Sequence, residues 1–301
     1  MTPDFIAFVN TVFVPVGLML IMFSMGLTLA LRDFALVLSN GRLVAAGLCG
    51  QLLLMPILGL AIGALFGLGP ELALGLFIIA ICPAGTTSNA LTFVGRGNVA
   101  LAVVLTALSS LVTVFTIPVL LSWALPFFLE GGGRAVPDLS VPGTILQLIQ
   151  ITVLPIAAGM LVHRFVPAAA VKMERWLRPT SLIVLIGVIA FSVAISLDMV
   201  LDNIVAAGPA IWTLNVAAMG AGLLLARAIG ASSRDSMTIG IEVGVQNATL
   251  AIFLTLTVLG SLPLAVTQNI YGVIMVLNVF LLIRWYRGRI TVEPAAAPEA
   301  A

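Results

Sequence analysis

The sequence predicts an all-α polytopic membrane protein of nine transmembrane helices, arranged as inverted repeats with two broken helices, and three observations lead there. Hydrophobic residues make up 61% of the 301 and charged residues only 8%, with a mean hydropathy of +1.23, far from the composition of soluble domains. About 20 apolar residues cross a bilayer core as a helix, and the chain offers nine such runs joined by short links. Two of the runs carry echoing polar clusters, TSNALTF at 87–93 and VQNATLAIF at 245–253.

The spans are expected near residues 5–29, 43–66, 72–94, 99–121, 144–162, 182–195, 204–225, 238–258 and 262–283. The N-terminal MTPDFIAFVN has no basic region and no small-residue cleavage pattern after it, so the first run reads as a retained span. In the second, Gln51 is a lone amide, while Gly59, Gly63 and Gly67 make a small-residue face suited to close helix packing.

The third run contains ICPAGTTSNAL at 81–91. Pro83 removes a backbone donor and Gly85 frees the backbone, which together break the helix. Polar groups freed in hydrocarbon cost several kcal/mol each, so the break is expected to be buried or to line a cavity. Taken alone, the cluster also fits a proline kink whose hydroxyls bond back to the preceding turn.

The fourth run carries a polar stripe of Asn98, Thr106, Ser109, Ser110 and Thr113. Thr106 lies two turns from Asn98, a spacing that allows both to face one site, but for any one of these residues helix packing is the first reading. GGGRAVP then breaks the chain, and the fifth run leads into a long basic loop from Arg164 to Arg178 bordered by His163.

In the eighth run, Glu242 of IEVGVQNATL is the only acidic or basic residue that falls within a span. A charge there costs about 2.5 to 3.5 kcal/mol even on the lenient insertion scale, so it calls for a metal ion, a proton, or water in a cavity. A protonated carboxyl shared between helices stays open as well. The groups available are oxygens: the Glu242 carboxylate, the Gln246 and Asn89 amides, the Ser88 hydroxyl and carbonyls near Gly244. Such a set suits a hard cation. The tail 291–301, ending EPAAAPEAA, is expected to be disordered.

Charge sidedness supports the count. One side collects Arg32, Arg42, Arg96, Arg164, Lys172, Arg175, Arg178, Arg227, Arg234, Arg284, Arg287 and Arg289, twelve of thirteen basic residues, and the other holds only Arg134 with Asp4, Glu71, Glu130, Asp138, Asp198 and Asp202. Cytoplasmic loops attract Lys and Arg, which predicts a multi-pass protein of the inner (plasma) membrane with its N-terminus outside and its C-terminus in the cytoplasm. The chain is then a single domain, 1–301, with one repeat half at about 5–121 and the other at about 182–283. With one span between them the halves enter from opposite sides, as in secondary transporters whose sites lie at paired broken helices.

Other classes fit poorly. A net charge of +1 spread over loops argues against nucleic acid, and no obligate protein partner is implied beyond the lipid bilayer. Cys49 and Cys82 with the single His163 have no disulfide, zinc or haem spacing. The sequon at Asn247 falls within a span, out of reach of glycosylation. An intramembrane enzyme would need a general base with a partner or an acidic metal motif at the membrane face, and the loops show neither.

The runs LMLIMFSMGLTL, GQLLLMP, CPAGTTSN followed by RGNVAL, and IEVGVQN closely resemble the bile acid:sodium symporter family, bacterial branch, in order and spacing over residues 18–258. The resemblance implies a panel and a core, two broken helices that cross, and transport of an organic anion coupled to one or two Na+ ions. Carried over by motif, one sodium site would use Ser88, Asn89, Thr106 and Glu242. The second would use Gln51, Glu242, Gln246 and the carbonyls of Val243 and Val245. Asn247, with Thr86 and Thr87, would face the substrate crevice. Ala102 stands where family members often carry a serine, removing one hydroxyl from the first site. The chain opens at what resembles the family's second helix, so that spans one, five and six would form the panel and the other six the core. The expectation is a non-enzymatic, sodium-coupled importer of a bile-acid-like or small carboxylate anion working by alternating access. A proton-coupled or facilitative carrier on the same fold is the alternative.

Overall fold

The computed structural model describes residues 2–34, 40–130 and 136–286. The expected tail at 291–301, Arg134 and most of GGGRAVP lie outside these residues. Seven described helices are long and apolar enough to cross a membrane: α1 (Asp4–Thr28), α2 (Gly41–Leu65), α5 (Val99–Leu129), α6 (Val141–Phe165), α7 (Pro167–Ile195), α8 (Leu197–Ala228) and α11 (Leu262–Tyr286). Two further segments are each divided into shorter helices: α3 (Pro70–Ile81) with α4 (Thr86–Val94), and α9 (Ser233–Gly244) with α10 (Ala248–Val258). Among the described residues there is no strand; the one isolated bridge joins Ala84 to Gln246.

The helices follow from apolar sequence on every face, the pattern of buried or lipid-facing helices. Prolines shape them locally. Wide turns at Val9–Phe13, Gly50–Leu54 and Ile149–Val153 each precede a proline by two residues, at Pro15, Pro56 and Pro155. A proline ring cannot donate to the carbonyl four residues back and crowds it, so the turn before it opens. Gln51 stands inside one such turn.

The region after α6 corrects one expectation. No loop runs from Arg164 to Arg178; α7 begins at Pro167, so Lys172, Glu174 and Arg175 lie on its first turns. Proline is well placed at a helix start, where its missing donor would be unpaired anyway, and AAAVKMERW continues with good helix formers. α5 and α8 likewise extend beyond the expected apolar runs, to Leu129 and back to Leu197.

α1 packs on α6 and α7. The α1–α6 crossing is close because Gly26 lies against the Ile156 carbonyl and Gly159 against the Phe23 carbonyl, where a β-carbon would clash. α8 packs on α9 and α11, and α3 lies against α2, α5 and α11. In the most apolar stretch of α7 only 12% of residues are buried, against 67% in α5 and α11. The second group of helices therefore contains the packed interior in which the two breaks meet.

Candidate functional site

α3 ends where Cys82 turns extended, at φ −70° and ψ 154°, and α9 ends where Val245 does the same, at φ −103° and ψ 102°. Each break frees backbone groups, and each supplies the other with partners. The Gly85 amide donates to the Val245 carbonyl at 3.2 Å, and the Asn247 amide donates to the Pro83 carbonyl at 2.9 Å. The two short extended segments thus pair antiparallel about Ala84 and Gln246. Gly85 suits this approach: a β-carbon there would lie 3.1 Å from the Gln246 carbonyl oxygen and 3.3 Å from the Asn247 Cα, so the facing backbone would have to give by a few tenths of an ångström. ICPAGTTSNAL is therefore a full break and not a kink, because its freed backbone bonds to the other half of the chain.

On one side of this crossing stands Glu242, 2% exposed. Its Oε2 lies 2.8 Å from Thr106 Oγ1 on α5, which in turn is 3.0 Å from the Ala102 carbonyl, 3.3 Å from Asn89 Oδ1 and 3.4 Å from Ser88 Oγ. Ser88 and Asn89 are placed there by the first turn of α4, and the Ser88 hydroxyl also donates to the Gly85 carbonyl at 2.7 Å. Ser88, Asn89, Thr106 and Glu242 thus form one oxygen-rich cluster drawn from α4, α5 and α9. Glu242 Oε1 is buried and has no hydrogen-bond partner among the described residues. A bare carboxylate oxygen in an apolar interior is costly unless a cation or proton meets it.

On the other side, the Gln51 and Gln246 amides pair face to face. Gln51 Nε2 donates to Gln246 Oε1 at 2.8 Å, and Gln246 Nε2 donates to Gln51 Oε1 at 3.2 Å. Gln246 Nε2 also reaches the Val243 carbonyl at 2.8 Å, and Gln51 Nε2 the Cys82 carbonyl at 2.7 Å. The Val243 carbonyl accepts this bond from Gln246 and the Val245 carbonyl one from the Gly85 amide, leaving a second lone pair on each. The Cys82 carbonyl is a member of this cluster that sequence reasoning missed; as a backbone group it leaves no trace in residue identity.

Asn98 is not part of either cluster. It caps α5, its Oδ1 accepting from the Leu101 amide at 3.1 Å, and its Nδ2 donates to Asp235 Oδ1 at 2.8 Å. Ser109 and Thr113 bond back to carbonyls of their own helix. Only Thr106 of that polar stripe reaches the crossing. Gly59 and Gly63 face Ala80 and Ala73 of α3, and Gly67 supplies a turn at φ +61°.

A cavity of about 730 Å³ lies between α1 and α7 on one side and α4 and α5 on the other. Thr86, Thr87 and Asn89 line its polar part, and Ile21, Met25, Phe93, Val103, Leu182 and Leu185 its apolar walls. Arg32, Asp33, His163 and Glu174 also line it. His163 Nδ1 sits 2.6 Å from the Leu27 carbonyl at the end of α1. Asn247 is not among the lining residues; its Oδ1 caps α10 by accepting from the Leu250 amide at 3.0 Å. The volume, with apolar walls on one part and converging polar and charged side chains on another, is that of a small-molecule site.

One network was not legible at all. Asn215 Nδ2 on α8 donates to the Gly244 carbonyl at 2.7 Å, Tyr271 Oη on α11 donates to the same oxygen at 2.8 Å, and Asn278 Nδ2 donates to Asn215 Oδ1 at 2.8 Å. None has a spacing that marks it among its neighbours in sequence, such as Thr213 beside Asn215 and Thr267, Gln268 and Asn269 before Tyr271.

Residues 15–203 match the Sodium Bile acid symporter family. The chain is 30% identical to the probable sodium/metabolite cotransporter BASS2, chloroplastic, of Oryza sativa subsp. japonica, over 95% of this chain and 67% of that protein. It is 29% identical to the sodium-dependent transporter YocS of Bacillus subtilis, over 86% of this chain and 80% of that one. It is also 27% identical to the human ileal sodium/bile acid cotransporter, over 77% and 66%. The chain spans 63% to 67% of the length of three such plastid relatives.

Proposed function

From the premise that this chain belongs to the sodium bile acid symporter family, we propose that it is a sodium-coupled symporter that imports an organic anion by alternating access. The observation that carries this reading is Glu242: a buried carboxylate at the crossing of two broken helices, with one oxygen bonded to Thr106 and the other without a partner among the described residues. A hard cation with oxygen coordination is the natural counter-charge there.

In this reading sodium is carried as cargo at two places. Ser88, Asn89, Thr106 and Glu242 hold one ion, and Gln51, Glu242, Gln246 and the carbonyls of Val243 and Val245 hold the other. Two sodium ions against one carboxylate leave about one positive charge, which a monoanion neutralises. Each entering charge is driven by about 2.3 kcal/mol per 100 mV.

The anion occupies the cavity beside the crossing, with Thr86 and Thr87 as its polar contacts; Asn247, on the opposite break, lies outside that lining and acts as the cap of α10. The two broken segments count as full spans, giving nine with the N-terminus outside, the C-terminus inside and inverted halves. The mutual packing of α1, α6 and α7 supports their assignment as the panel, and the remaining helices form the core. The cavity shares its end with Arg32 and His163, on the side rich in basic residues, which corresponds to an inward-facing conformation in the plasma membrane.

A thermal-shift screen of the purified protein tests the proposal. Sodium chloride should raise the melting temperature above that in choline chloride, and a bound organic anion should raise it further when sodium is present. Equal stability in both salts, with anion binding indifferent to sodium, would overturn it.

A further inference from the structure

The two ends at the crossing are held in the same way from different helices. On α2, Gln51 Nε2 donates to the Cys82 carbonyl at 2.7 Å, just beyond the last residue of α3. On α8, Asn215 Nδ2 donates to the Gly244 carbonyl, the last residue of α9, also at 2.7 Å. What surrounds the two amides differs. Gln51 meets Gln246, whose oxygen and nitrogen both belong to the clusters beside Glu242. Asn215 meets only neutral groups: its oxygen accepts from Asn278, its Nδ2 also donates to Tyr271 Oη at 3.1 Å, and Tyr271 adds a second bond to the Gly244 carbonyl. Asn215 and Tyr271 are wholly buried and Asn278 is 7% exposed.

This saturates the Gly244 carbonyl. An acceptor oxygen has two lone pairs, and here both are taken by protein donors from α8 and α11. The flanking carbonyls of Val243 and Val245 accept one bond apiece, from Gln246 Nε2 and the Gly85 amide. The Gly244 carbonyl lies in the peptide plane that joins Gly244 to Val245, so clamping it holds the point at which α9 ends and, through the chain, the helix end that carries Val243 and Glu242.

We propose that Asn215 and Tyr271 are positioning residues for sodium: by clamping the Gly244 carbonyl they orient the α9 contribution to the ion sites and set sodium affinity without touching the ion. This rests on the functional reading given above. Groups one shell behind metal ligands commonly change affinity by about 10- to 100-fold when removed, and a single neutral hydrogen bond corresponds to about fivefold.

The test titrates sodium chloride against choline chloride at constant ionic strength and follows thermal stability of the purified full chain. The proteins compared are the natural one, Tyr271→Phe, Asn215→Ala and the control Thr113→Val, whose hydroxyl bonds only within α5. Tyr271→Phe keeps the ring and is expected to raise the sodium midpoint about fivefold to tenfold and to change the preference for sodium over lithium. Thr113→Val should lower stability in choline while leaving the midpoint and the lithium ratio unchanged. If Asn215→Ala does not fold, Tyr271→Phe alone decides. A sodium midpoint in Tyr271→Phe equal to that of Thr113→Val overturns the positioning role. A natural protein indifferent to sodium overturns the functional reading itself, and the positioning role with it.

Discussion

Thr106 of α5 and Glu242 of α9, 136 residues apart in sequence, meet at 2.8 Å, and that contact ties the hydroxyl and amide of α4 to the carboxylate of the opposite half. Thr106 has one proton to donate and four oxygens within 3.4 Å, so the cluster holds more acceptors than donors. An excess of acceptors is what a cation requires.

Glu242→Gln keeps the shape and removes the charge. Binding of radioactive sodium to the purified protein should fall below detection, and any stabilisation by sodium should vanish with it. At a sodium concentration 100 times the dissociation constant the lost stabilisation is about 2.7 kcal/mol. Undiminished sodium binding would show that the ion lies elsewhere.

Ala102 is fully buried one turn before Thr106, and its carbonyl is 3.0 Å from the Thr106 hydroxyl. Ala102→Ser adds an oxygen on that face of α5. The sodium midpoint is expected to fall by about fivefold, the worth of one added polar contact; an unchanged midpoint would place the ion away from this face.

Gly85→Ala should force the paired extended segments apart. A cost of about 1–3 kcal/mol is expected from overpacking, together with a weaker sodium response. Gly41→Ala, at a position where a β-carbon meets nothing within 4 Å, is the neutral comparison. Equal melting temperatures for the two variants would contradict the tight approach at Ala84 and Gln246.

Gln51→Leu leaves the Cys82 carbonyl and Gln246 Oε1 without their partner from α2. Each orphaned buried group costs about 1–3 kcal/mol, so stability in sodium-free buffer should drop clearly, as read by thermal unfolding. A loss below 1 kcal/mol would mean that water or a side chain replaces the amide.

Val103→Phe projects a ring into the cavity wall. With organic anions graded in size from a keto acid to a steroid acid, binding of the largest should weaken at least about tenfold, while the response to sodium alone stays intact; a loss of one to two favourable contacts suffices for that factor. Unaltered binding of the steroid acid would remove this cavity as the anion site.

Much of this was legible because the chain is so apolar. Against such a background Pro83, Gly85 and Glu242 stand out, and the cost of exposing backbone or charge to hydrocarbon turns each into a structural demand. The helical start of α7 was not legible: Lys172, Glu174 and Arg175 read as loop because they are charged, whereas helices extend past a bilayer when nothing stops them. The role of Asn98 was left open between the site and helix packing, and neither reading named the cap it forms. Spacing along α5 put it in line with Thr106, but its place at the helix start made it a cap. Asn215, Tyr271 and Asn278 have no spacing that sets them apart from polar neighbours such as Thr213 or Thr267, Gln268 and Asn269, and only the Gly244 carbonyl, held by Asn215 and Tyr271 with Asn278 behind Asn215, gives them meaning.

The backbone pairing of the two breaks also bears on how the protein is made. The Pro83 carbonyl and the Gly85 amide reach the membrane long before residues 245 and 247 have been synthesised, and until then they lack the partners they have in the finished fold. Freed backbone groups are expensive in lipid, so the nascent α3–α4 segment should lodge against protein or in water until the second half arrives. Contacts that span 195 residues, such as Gln51 with Gln246, close late because the loop entropy must be overcome first. A chain truncated after α8 would therefore lack the ion site entirely, which makes assembly of the crossing a natural point at which quality control separates finished molecules from fragments.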